Sequence, residues 1–175
     1  MEIYAISDTH FGHDKLVELS GRPEDFTKKI LRNVEDQKNR TPIDVLIHCG
    51  DFCIGKDEEW HEAWRVHTFG IKKKILVRGN HDNKSDSWYY NHGWDFVCSS
   101  FVHTYFGKCL LFTHMPMAID LRFTRNIHGH MHGNSHRHNE HREYDPTWHF
   151  DLAPEIRDYK AVNLEKIEHL TPHKP

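Results

Sequence analysis

Ile75-Leu76-Val77-Arg78-Gly79-Asn80-His81-Asp82 passes from apolar to polar within three residues, and its reading frames the rest of the chain. The apolar half has the β-branched content of a buried strand. Gly79 permits a sharp turn off the strand end, where a β-carbon would crowd the backbone. Asn80 presents a neutral amide oxygen, a hard donor for a divalent metal. His81 can donate a proton near neutral pH, and Asp82 can hold its ring in the donating tautomer. A plain Gly-Asn turn followed by two solvated polar residues would read the same way. Four further clusters that repeat the design decide between the two.

Working outward, Glu2 to Ser7 alternates as a first strand and ends at Asp8-Thr9-His10. Ile43 to His48 reads as a second strand ending at Gly50-Asp51, and Lys73 to Val77 as a third. A short helix is expected over Asp14 to Leu19. A longer one runs from about Glu24 to Lys38, with Pro23 at its start and Phe26, Ile30, Leu31 and Val34 on one face. Another helix, Asp57 to Phe69, carries Trp60, Trp64 and Phe69. This β-α-β-α-β order predicts parallel strands with right-handed crossovers. Downstream, Phe96 to Tyr105 and Lys108 to Thr113 predict a hairpin through Phe106-Gly107-Lys108, the second strand ending at His114. Asn126-Ile127 is a strand stub before His128-Gly129-His130-Met131-His132. Asn134 to Asp145 reads as a polar surface loop, and Trp148 to Leu152 and Tyr159 to Leu164 as closing strands.

A chain of 175 residues without internal repeats or linkers predicts one domain, 1–175. Charged residues make up 28% and the mean hydropathy is −0.77, and no apolar run reaches the ~18 residues of a membrane span. A strand directly after Met1 leaves no room for a signal peptide, so a cytoplasmic protein is expected. A net charge of −3 excludes the basic footprint of a long nucleic-acid binder. Cys49, Cys53, Cys98 and Cys109 lack zinc-ribbon spacing and read as small buried hydrophobes. Eighteen histidines are the anomaly, roughly four to five times an ordinary share.

Five apolar runs end in metal-ligand chemistry: Asp8/His10, Asp51, Asn80, His114 and His130/His132. Parallel strands share a direction, so their carboxyl ends crowd along one edge, where open α/β sheets keep their sites. At a strand end, residues two apart point the same way, which brings Asp8 and His10 toward one ion. The set supplies what two ions require: a carboxylate able to bridge, several imidazoles and hard oxygens.

Asp8-x-His10, Gly50-Asp51, Gly79-Asn80-His81-Asp82, His114 and Gly129-His130-x-His132 occur in the order of the calcineurin-like metallophosphoesterases, which the chain resembles. Asp8-Thr9-His10-Phe11-Gly12-His13, Gly21-Arg22-Pro23, and Asp158-Tyr159 with Asn163-Leu164 extend the similarity to a small single-domain branch. The resemblance implies an α/β fold, a four-layer αββα sandwich of two packed mixed β-sheets flanked by helices. It places Asp8, His10 and His132 on one divalent ion and Asn80, His114 and His130 on another, with Asp51 bridging. Mn²⁺ is the first choice of metal, ahead of Fe²⁺, Ni²⁺, Zn²⁺ or Mg²⁺. The implied reaction is phosphate-ester hydrolysis, phosphodiesters preferred, by a hydroxide shared between the ions, with His81 as general acid and Asp82 orienting it. The expected partner is a small phosphate ester, with nucleotides and short single-stranded nucleic acids among the candidates and no membrane; the protein is a monomer or homodimer. A nuclease or cyclic-nucleotide phosphodiesterase is the alternative within enzymes, and a non-catalytic protein-binding scaffold the alternative outside them.

Of the remaining polar residues, His13, Arg22 and Asn80 are candidates for substrate contact, while Arg78 is expected to pair with a carboxylate. His48 and His128 read as buried neighbours of the site. His61, His67, His92, His103, His169 and His173 read as surface residues, and His136, His138, His141 and His149 as a solvated loop at the site's mouth. Trp60, Trp64 and Trp88 are assigned to core or interface, and Trp88, Tyr89 and Tyr90 are the exposed aromatics that would allow a dimer.

Overall fold

The computed structural model describes residues 1–133 and 144–169. The first half follows the expected alternation: β1 (Ile3–Ile6), α1 (Leu16–Ser20), α2 (Phe26–Arg40), β2 (Val45–His48), α3 (Asp57–His67), β3 (Lys73–Val77), α4 (Asp86–Asn91) and β4 (Phe96–Cys98). The second half is mostly strand: β5 (Ser100–Tyr105), β6 (Lys108–Thr113), β7 (Arg125–His128), β8 (His149–Asp151) and β9 (Val162–Asn163), with 3₁₀ turns at Pro154–Ile156 and Leu164–His169. No helix among the described residues is long and apolar enough to cross a membrane.

Two mixed sheets result. One has the order β4-β3-β2-β1-β9, in which β1 to β4 are parallel and β9 runs antiparallel to β1. The other has the order β5-β6-β7-β8, an antiparallel β5–β6 hairpin continued by parallel β7 and β8. Ile3, Ala5, Val45 and Ile47 of the first sheet meet Leu110, Phe112, Ile127 and Phe150 of the second in one apolar layer. The alternate residues Ile6, Leu46 and Leu76 face Phe26, Ile30, Leu31 and Val34 of α2, Trp64 of α3 and Tyr89 of α4, with Val17 of α1 at the margin. Among the described residues, the α-helices therefore all bear on the first sheet. The outer face of the second carries, among the described residues, the loop between β6 and β7. Met117 N–H donates to Asn126 Oδ1 (2.9 Å), His149 Nε2–H to Met117 O (2.8 Å), and Trp148 Nε1–H to Phe123 O (3.1 Å).

Several expectations are refined. The run from Phe96 to Tyr105 is divided between the sheets, because Val97 packs among the helices and Phe101 between the sheets. Pro23 stands ahead of α2 in a turn closed by Phe26 N–H to Pro23 O (3.0 Å), and Phe69 lies past the end of α3, largely exposed. Helix α4, not anticipated, starts at a Ser85 cap whose hydroxyl accepts from Trp88 N–H (3.2 Å). It buries Tyr89 at 1% exposure, so of the expected exposed aromatics only Tyr90 is largely open.

Candidate metal centre

Pairing of Ile6 with His48, and of His48 with Leu76, ends β1, β2 and β3 level, so their following loops leave along one edge. Asp8 N–H donates to Gly50 O (2.9 Å) and His10 N–H to Asp51 O (3.0 Å), joining the first two loops. The Asp82 carboxylate ties in the third by accepting from the N–H groups of Asp51 (2.8 Å), Phe52 (3.1 Å) and Gly79 (2.8 Å). β6 and β7 bring the second sheet to the same edge. There Gly129 N–H donates to His114 O (2.9 Å) and His130 N–H to the Asp8 carboxylate (2.9 Å).

The donor atoms of Asp8, His10 and His132 lie within 4.8 Å of one another, and so do those of Asp51, His114 and His130. Asp51 Oδ2 stands between the groups, 3.6 Å from His10 Nε2 and 3.4 Å from His114 Nε2. Asn80 Oδ1 joins the second group, 3.1 Å from His114 Nε2. All seven expected donors thus gather in one place. The route differs from simple strand alternation, since β1 stops at Ile6. Asp8, His10, Asp51, His130 and His132 instead take left-handed backbone (φ 48°, 44°, 56°, 69° and 53°). Such conformations cost on the order of 1 kcal/mol apiece and concentrate where a site dictates the direction of a side chain. The flanking glycines answer to close approach. A Cβ on Gly79 would meet Asp51 Oδ1 at 2.2 Å, and one on Gly129 would meet Asp8 Oδ2 at 2.2 Å.

Burial and mutual charge shape the electrostatics. Burial lowers His10 to about 2 and raises the Asp8 carboxyl. Burial also acts against the charged forms of His114 and Asp51, but their mutual hydrogen bond and charge prevail. His114 is pushed up to about 9, and Asp51 lies below the usual carboxylate range. Both ring nitrogens of His10 are buried without a hydrogen-bond partner. Two carboxylates, four imidazoles and an amide oxygen gathered at one edge, with both nitrogens of the buried His10 ring lacking a hydrogen-bond partner, fit divalent cations.

The supports behind the two groups are unequal. His114 Nδ1–H donates to Cys49 O (2.9 Å), turning Nε2 toward Asn80 and Asp51. His132 Nδ1–H donates to Glu155 Oε1 (2.9 Å), which also accepts from Arg22 Nε (2.8 Å). Arg22, 2% exposed, further donates to Asp8 O (2.7 Å) and Thr9 O (3.1 Å). The expected substrate contact at Arg22 gives way to a buried clamp on the Asp8 loop. Glu155, not anticipated, has partners 23 and 133 residues away and no local sequence signature beyond a Pro-Glu turn start.

His81 is half-exposed at the cavity, its ring centroid 5.5 Å from that of His10 and its Nε2 3.9 Å from Asp51 Oδ2. Asp82 does not touch the His81 ring; its oxygens are taken by the three backbone donors, so it braces loops rather than orienting the imidazole. His13 lines the cavity, and Arg78 pairs with Asp86. His48 and His128 are buried as expected. His61 is not a surface residue. It is 1% exposed, its ring 4.2 Å from that of Phe52, because α3 turns it inward beside Trp64. His149 likewise lies buried in β8 rather than in a solvated loop. His136, His138, His141 and His173 lie outside the described residues. Cys49 and Cys53 are buried, Cys98 and Cys109 half-buried, and all four are free.

A two-sheet sandwich with hard oxygen and imidazole donors massed on one edge defines a metal-dependent hydrolase. The chain belongs to the calcineurin-like phosphoesterase family, whose model matches residues 1–172, and so acts on phosphate esters. Family and donor groups together indicate a dinuclear divalent-metal site. It is 27% identical over 180 residues to an uncharacterized protein of Methanocaldococcus jannaschii, covering 95% of this chain and 89% of the relative. A protein of unknown function from Aquifex aeolicus superposes with a TM-score of 0.73 at 25% identity, covering 97% of this chain and 99% of that one. A Pseudomonas putida nuclease shares the fold at a TM-score of 0.52 and 20% identity, covering 74% of this chain and 61% of that one.

Proposed function

We propose that the chain is a dinuclear phosphodiesterase in which Asp8, His10 and His132 hold one ion, Asn80, His114 and His130 the other, and Asp51 both. The single observation behind this is Asp51 Oδ2 lying 3.6 Å from His10 Nε2 and 3.4 Å from His114 Nε2, one oxygen shared by two donor groups. The ions, Mn²⁺ foremost, supply Lewis acidity and an activated water at neutral pH when bound. The chain's own residues do the rest. His81, reaching the cavity from a loop fixed by its own N–H donating to Asp51 Oδ1 (2.9 Å), protonates the leaving oxygen. An alkoxide leaving group benefits most from that proton, which favours diesters. His13 and Asn80 contact phosphoryl oxygens, and Asp82 keeps the Asp51 and Asn80 loops in register.

The test strips the protein with chelator and reloads it with Mn²⁺, Ni²⁺, Mg²⁺ or Fe²⁺. Metal is counted, and aryl mono- and diesters, cyclic nucleotides and short oligonucleotides are assayed. Two equivalents of metal and diester turnover exceeding monoester turnover are expected. A single equivalent, or a folded protein inert toward every ester, would overturn the assignment. The scaffold alternative requires missing donors or a closed site, whereas all seven donors converge beside a cavity of about 550 Å³.

A further inference from the structure

The cavity beside the donors has two unlike walls. One is the donor edge with His13 and His81; the other is α1, which contributes Leu16, Leu19 and Ser20. Leu16 is buried at 7%, whereas Leu19, one turn on, is 73% exposed. The helix's last turn is closed by Ser20 Oγ–H donating to Leu16 O (3.0 Å) and by Arg22 N–H donating to the same carbonyl (3.3 Å). A lone exposed leucine needs no explanation. One that walls a cavity whose other side is a crowd of polar donors offers an apolar contact to whatever hangs from the reacting group. The second fact is charge. Among the described residues no lysine or arginine lines the cavity, and Arg22 behind it has its donors committed to Glu155, Asp8 and Thr9. A nucleic-acid strand or a polyphosphate brings further phosphates that need cationic partners.

Resting on the phosphodiesterase reading, the geometry points to Leu19 as a specificity-determining residue. It receives the uncharged apolar arm, aryl or alkyl, of an ester carrying a single phosphoryl group. Polyanionic substrates are disfavoured.

The Mn²⁺-loaded full chain is given phenyl p-nitrophenyl phosphate, methyl p-nitrophenyl phosphate and a single-stranded tetranucleotide. The parent should favour the phenyl ester over the methyl ester by about tenfold in kcat/KM. In Leu19→Ala that ratio should fall most of the way to unity, through KM. Leu19→Lys should lower it as well and raise turnover of the tetranucleotide. Phenylphosphonate and methylphosphonate binding, followed calorimetrically, should show the same selective loss. An unchanged phenyl-to-methyl ratio and unchanged phosphonate binding in Leu19→Ala overturn the proposal, as does a parent that prefers the tetranucleotide. A parent inert toward all three substrates overturns the phosphodiesterase reading itself, a result distinct from turnover without discrimination.

Discussion

Two sets of buried imidazoles lie on opposite sides of the loops that follow β1 and β2. Behind the first sheet, His48 and His61 sit among Phe52, Trp64 and Trp94, with the His61 and Phe52 rings 4.2 Å apart. Burial lowers them to about 3 and about 4, so they are neutral fillers with one polar edge. At the site edge, His114, at 5% exposure, is nearly as enclosed as His48 and His61 yet rises to about 9, and His132 is also raised, because carboxylates face them. What differs is the company they keep: carboxylates face His114 and His132, and aromatic rings face His48 and His61. His10, which burial lowers to about 2, still lies 3.6 Å from Asp51 Oδ2 and so belongs with the donors by position.

The comparison breaks most readily at Asp51, the carboxylate common to both donor groups. Asp51→Asn should lose one equivalent of metal and about a thousandfold or more in kcat, since a neutral amide bridges two cations poorly. Metal counting beside a single-turnover assay decides it; two bound ions with parental turnover would show that carboxylate sharing is not what organises the edge. His81→Ala should rank next, with both metals retained and kcat down about a hundredfold, most for esters with poor leaving groups. Metal loss in that variant would move His81 into the ligand set.

A smaller effect sharpens the difference between the two donor groups. Glu155 turns His132 through Nδ1, whereas His114 is turned by a backbone carbonyl. Glu155→Gln should therefore weaken one metal site by about tenfold and leave the other near its parental affinity. Titration of the stripped protein with Mn²⁺, read as two separate binding steps, measures this. Equal weakening of both steps would mean that Glu155 stabilises the edge as a whole rather than one ligand.

The sequence exposed the donors but not their supports, for a physical reason. Asp8, His10, Asp51, Asn80, His114, His130 and His132 each follow an apolar run, so local pattern and parallel topology were enough to bring them to one edge. Arg22 and Glu155 meet only because the chain returns from the second sheet to the loop after α1, a contact spanning 133 residues with no periodic signature. Asp82 follows His81 directly, which suggests a partner for that ring. The backbone N–H groups of Asp51, Phe52 and Gly79 claim its oxygens instead. His61 reads as a surface residue in the sequence because Asp57, Glu58, Glu59 and Glu62 give its surroundings a solvent-facing look. Its position four residues from Asp57 and three before Trp64 nevertheless turns it onto the buried side of α3.

That inward turn gives the mildest test, one of stability alone. In the folded chain His61 donates Nδ1–H to Asp57 O (2.8 Å), its Nε2 is buried without a partner, and its pKa is lowered to about 4, chiefly by burial. The unfolded chain takes up this proton near pH 6.5. Between about pH 6.5 and 4 the unfolded state therefore binds more protons than the folded one. Stability falls as the pH drops through that window, and above it the residue contributes no pH dependence. His61→Phe keeps the ring contacts with Phe52 and removes the proton. The stability difference between pH 7 and pH 4.5 should narrow by about 2 kcal/mol relative to the parent, read from urea midpoints at matched m-values. Acid titration of the donor edge is common to both proteins and cancels in the comparison. An unaltered pH slope would mean that His61 is protonated in place as freely as in the open chain, and the separation between the two sets of imidazoles would then lose its basis.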